Sequence, residues 1–109
     1  MAKTLEFNYK NVDYTLEFTR KTVTRMEQNG FNIKDIDDKP MTVLPELFEG
    51  SFKAHHPYLK PSMIDEIYTK FTNKAELVNK LAEMYYEPLA ALMEEPEEDE
   101  GNITWSPNW

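Results

Sequence analysis

Leu5-Glu6-Phe7-Asn8-Tyr9-Lys10-Asn11-Val12-Asp13-Tyr14-Thr15-Leu16-Glu17-Phe18 decides the start of the fold. Leu5, Phe7 and Tyr9 share one side of an extended chain, with Glu6 and Asn8 on the other. The alternation resumes with Val12, Tyr14, Leu16 and Phe18 set against Asp13, Thr15 and Glu17. Two such runs joined by Lys10-Asn11 predict a β-hairpin over residues 4–18 with one buried face. A lone hairpin is marginal in water, so that face must lie on helices or on another subunit. A homo-oligomer is therefore among the expected states.

Working outward, Thr19 reads as a helix N-cap, because its hydroxyl can accept from amides of the first turn. The helix should cover about 20–29, with Gly30 as a left-handed stop and Phe31 folding back as the apolar contact of a Schellman ending. Ile33 and Ile36 anchor an irregular stretch that ends at Pro40. Thr42 reads as the next cap, placing Pro45 in a tolerant first turn. Leu44, Leu47, Phe48, Ser51, Phe52 and His55 fall on one face of a helix over about 43–56. Gly50 inside it costs about 1 kcal/mol relative to Ala and marks a close approach of another backbone. Ser62 with Asp65, and Asn73 with Glu76, resemble capping boxes for helices over about 63–71 and 74–86. Pro88 should break or kink the last of these, leaving a short amphipathic piece over 88–93 with Leu89, Leu92 and Met93. The expected fold is α+β, mostly α: a single domain over 1–93 with an N-terminal hairpin and four or five short helices.

From Glu94 the composition changes. The chain has 20 acidic and 12 basic residues. Glu94, Glu95, Glu97, Glu98, Asp99 and Glu100 account for six of the acids, and no base follows them. The preceding body is nearly neutral, with 14 acids against 12 bases, so the net charge of −8 belongs mainly to the tail. Repelling charges and the absence of apolar side chains over 94–101 oppose order there, and the whole tail 94–109 is expected to be disordered in isolation. Both tryptophans, Trp105 and Trp109, lie beyond the acidic run, together with Ile103. Trp carries large apolar area and is favoured at binding hot spots. The segment is either a solubilising terminus or a tethered recognition element that orders on binding.

Other signals narrow the function. One chain of 109 residues has room for one core. With no cysteine there is no disulfide, thiolate metal site or nucleophilic thiol. No run of about 20 apolar residues exists for a membrane span, and no apolar signal core follows Met1, so a cytoplasmic location is expected. His55 and His56, adjacent on a helix, point about 100° apart and do not form a chelating pair. His55 is expected at the core edge and His56 in solvent. Asp35, Asp37 and Asp38 lack the glycine and bidentate Glu of a calcium loop. Nothing cradles phosphate, and no dense positive surface awaits nucleic acid. The expectation is a non-enzyme with no cofactor or metal that works by binding protein. Arg20, Lys21 and Arg25 are expected in the first half of a helix, where its dipole disfavours positive charge. They are either a solvated face or a dock for an acidic segment, this chain's own tail or that of a neighbouring copy.

Four stretches together cover nearly the whole chain: "LEFNYKNVDYTLEFTRKTVTRMEQNGF", "PMTVLPELFEGSFKAHHP", "IDEIYTKFTNKAELVNKLAEMY" and "EEPEEDEGNITWSPNW". The combination resembles the tail assembly chaperones of long-tailed, siphovirus-type bacteriophages and prophages of Gram-positive bacteria. The resemblance implies a non-enzymatic protein of the bacterial cytoplasm, absent from the mature virion. Its implied partners are the tape measure protein, which it keeps soluble, and the tail tube protein, whose subunits it helps recruit. It also implies a longer form made by ribosomal frameshifting near the acidic tail. Two other classes stay open: a small phage or mobile-element regulator or inhibitor binding a host protein, and a structural head–tail component.

Overall fold

A computed structural model describes residues 3–96 and 101–109. Strands β1 (Thr4–Tyr9) and β2 (Val12–Glu17) pair antiparallel, with Leu5 opposite Leu16 and Phe7 opposite Tyr14. Lys10 and Asn11 both have positive φ, 51° and 65°, as a two-residue type I′ connection requires. The hairpin's apolar face lies on the helices of its own chain, except at Val12, expected on that face but 48% exposed beside the turn. The Phe7 ring stacks on Tyr14 at 5.1 Å and meets Phe71 edge-on at 4.9 Å.

Four helices follow: α1 (Arg20–Gln28), α2 (Pro40–Gly50), α3 (Pro61–Lys70) and α4 (Lys74–Leu92), with one 3-10 turn at Ile33–Ile36 before α2. The fold is α+β and mostly α. Leu16, Leu47, Phe52, Ile67 and Leu81 sit at the centre of the core with almost no exposure. They come from the hairpin, α2, α3, α4 and the turn after α2, while α1 has no fully buried residue and packs from outside.

The ends of α1 follow the expectation. Thr19 Oγ1 accepts from the Thr22 amide at 3.1 Å, and Thr22 Oγ1 accepts from the Thr19 amide at 2.8 Å. This reciprocal pair uses Thr where Glu or Gln is usual. At the other end Gly30 has φ +91°, its amide donates to Glu27 O, and the Phe31 amide donates back to Met26 O. That is the Schellman pattern, and it brings Phe31 into the core.

Other boundaries differ. Helices α2 and α3 start at Pro40 and Pro61, not near 43 and 63, because proline's fixed φ suits the first helical position and Lys39 and Lys60 become the N-caps. Thr42 and Ser62 therefore lie inside the first turn. Pro45 falls six residues into α2, where its missing amide costs the exposed Met41 carbonyl a helical partner. Asn73 caps α4 in a left-handed conformation, φ 52°, which turns the chain out of α3 and prevents the expected side-chain cap. Helix α2 stops at Gly50 rather than 56. The Ser51 carbonyl, which would serve the next helical turn, instead accepts from the Glu17 amide of β2 at 2.9 Å.

Losing that turn reverses the two histidines. His56 turns inward, its Nε2 accepting from the Thr15 amide at 3.0 Å, while His55 is exposed and pairs with Glu17 at 2.7 Å. Gly50 does approach a neighbour, but it is a side chain rather than a backbone: an added Cβ would lie 2.6 Å from the Met26 thioether. Finally, α4 runs through Pro88 without interruption to Leu92. One lost hydrogen bond is offset by Leu89-Ala90-Ala91-Leu92, which are among the strongest helix formers.

Candidate functional site: a groove between the first and last helices

Helix α1 packs on the second half of α4, and the contact leaves a groove of about 360 Å³ between them. Its floor includes Phe31 and Tyr85. The Schellman turn delivers Phe31, whose ring meets Tyr85 of α4 at 5.3 Å, and Phe18, next to the Thr19 cap, also meets the Tyr85 ring, at 5.4 Å. Tyr85 is buried, and its hydroxyl is held above the usual phenol range by that burial first and by Glu27 second. The wall is the outward side of α4, with Tyr86, Leu89 and Leu92. Arg20, Glu27 and Lys34 stand at the rim.

The wall is unusually apolar for an exposed surface. Leu89 is 54% exposed, Leu92 53% and Met93 74%, and Tyr86 extends the same stripe by one turn. Pro88 and Leu92 also line a second depression on the far side of the helix end, with Phe18 and Ala91. The last two turns of α4 therefore form an apolar ridge with a hollow on each flank.

Beside the groove is a basic face. Arg20, Lys21 and Arg25 line one shallow depression on α1, with Thr24 and Gln28 between them. Arg20 borders this depression, the groove and the second hollow, so it joins the charged surface to the apolar one. No acidic residue occupies the first turn of α1. Among the described residues, none of these three side chains takes part in an ion pair.

Of the residues picked out in the sequence, Arg20, Lys21 and Arg25 thus come together on one face. Ile103, Trp105 and Trp109 lie in a segment without helix or strand and are exposed, Trp109 completely. The expected disorder of 94–109 falls in part on residues 97–100, which lie outside the described residues; 94–96 and 101–109 are exposed and irregular. Sequence reasoning missed the groove itself, with Tyr86, Leu89, Leu92 and Lys34. The usable signal was the spacing of Tyr86, Leu89 and Leu92 along one helix face, which the expected break at Pro88 concealed.

Among the described residues, no group of three or more His, Cys, Asp or Glu side chains could hold a metal ion. No described helix is long and apolar enough to cross a membrane. The fold and groove define a small, mostly helical α+β domain with an apolar cleft beside a basic face. The chain belongs to the family described as "Domain of unknown function (DUF5055)", which matches it over residues 1–109. No curated protein and no solved structure matches it.

Proposed function

We propose that this protein is a phage tail assembly chaperone that acts by binding rather than by catalysis. In this reading it holds the tape measure protein soluble and helps tail tube subunits gather around it. The observation that carries the reading is the exposed apolar stripe of Tyr86, Leu89, Leu92 and Met93 beside the α1–α4 groove. A cleft of this kind suits an amphipathic client helix, which offers apolar anchors at i, i+3, i+4 and i+7. Met and Leu side chains at its edge adapt to clients of varied sequence, and shallow contacts are weak enough for tube subunits to displace. The resemblance of the whole sequence to tail assembly chaperones supplies the client.

Co-expression with the tape measure protein encoded by the same phage or prophage tests the reading. The tape measure protein is expected to move from the insoluble to the soluble fraction. Mass spectrometry of purified particles is expected to lack the chaperone. Presence of the protein in finished particles would instead favour a head–tail component.

A further inference from the structure

We infer that the α1 basic face and the adjoining groove receive the acidic, tryptophan-bearing segment 94–109 of a second copy of this chain. The charges match in a way the fold leaves unresolved. Arg20 and Lys21 open α1, where the helix dipole disfavours them, and with Arg25 they have no ion-pair partner among the described residues. The chain's one dense acidic run, with six carboxylates between Glu94 and Glu100, has no base anywhere after it. The apolar features match as well. The groove ends in exposed Leu89 and Leu92, while Trp105 and Trp109 stand 78% and 101% exposed.

The spacing allows both contacts at once. Glu100 and Trp105 are five residues apart, about 17 Å when extended. Packed helices lie roughly 8–10 Å apart. Carboxylates can therefore rest on α1 while Trp105 reaches the groove beside α4. The occupant is a second copy because this chain's own tryptophans lie in solvent. Each protomer donates one segment and accepts another, so the association is reciprocal or propagates. This holds whatever the client is, and it can be tested without one.

Both tryptophans belong to this segment, so tryptophan emission, excited selectively over the six tyrosines, reports on it alone. The full-length chain is to be diluted from about 1 mM to about 1 µM, a range bracketing weak association. Emission and sedimentation are followed together at low salt and near 1 M salt. We expect blue-shifted emission and a larger species at high concentration, with both lost on dilution or at high salt, where screening falls to about 3 Å. The R20E/K21E/R25E variant should lose both, with at least a tenfold weaker association. Arg25 lies in the last turn of α1, where an acid disfavours the helix. The R20E/K21E variant, whose acids suit the helix start, should therefore also weaken association with an unchanged urea midpoint, separating this loss from unfolding. Solvent-exposed emission at every concentration would overturn the proposal. So would a blue shift independent of concentration, which means docking within one chain, or an association that survives charge reversal.

Discussion

The backbone amide of Thr15 donates to Nε2 of His56 at 3.0 Å, fastening the middle of β2 to the turn that follows α2. An amide only donates, so Nε2 must present its lone pair and the imidazole is neutral. Partial burial, then the neighbouring His55, hold its pKa below the ordinary 6.5. Tyr14 and Phe52 flank the ring, with His55 and, through it, Glu17 as the nearby titrating groups. Because the unfolded chain binds the proton more readily, stability should fall as pH drops through about 6.5 towards the lower folded value. His56→Ala is expected to cost about 1–2 kcal/mol at pH 7.5, the penalty of an orphaned amide and a lost contact. It should also flatten the pH dependence between 7 and 5. Urea denaturation of both proteins across that range measures this, and parallel pH profiles would contradict it.

Gly30 and Phe31 act as one device. Gly30→Ala forces an L side chain into φ +91° and should cost about 1–2 kcal/mol. Phe31→Ala also removes buried aromatic volume from under the groove, and about 3–5 kcal/mol is expected. Chemical denaturation midpoints rank the two. Equal losses would mean that the turn, rather than the ring it delivers, dominates.

At Gly50 two effects oppose each other. An added methyl gains up to about 1 kcal/mol of helix propensity but meets the Met26 Sδ and Cε at 2.6 Å. Those atoms are the far end of a flexible, half-buried side chain and can swing aside, so Gly50→Ala should change stability by less than about 1 kcal/mol. Gly50→Leu cannot be accommodated this way and should cost about 1–3 kcal/mol. A double-mutant cycle with Met26→Ala should show positive coupling. Additivity would mean that the contact carries no energy.

Local pattern made some elements legible and left others hidden. The hairpin, its buried face, the Thr19 cap and the Gly30 stop all depend on residues within a few positions of one another. Helix α2 ended early because the Ser51 carbonyl bonds to Glu17, a partner 34 positions away by numbering that no local periodicity contains. The same tertiary bond reversed His55 and His56. Pro88 was misleading for the opposite reason: a local rule about proline gave way to the strong helix formers Leu89–Leu92 that follow it. Missing that continuity hid the groove wall, since Tyr86, Leu89 and Leu92 share a face only if α4 is one helix. The basic half of the site, Arg20, Lys21 and Arg25, was visible because fewer than two turns of α1 suffice to gather it.

The groove's role in holding a client is tested most directly by Leu89→Asp/Leu92→Asp. Both side chains are more than half exposed, so the fold should persist while the apolar stripe becomes charged. The measurement is the soluble fraction of tape measure protein co-expressed with the wild type and with this variant. The expected result is soluble tape measure protein with the wild type and a return to the insoluble fraction with the variant. Equal solubility with both, while the variant itself remains folded and abundant, would contradict the assignment of the groove.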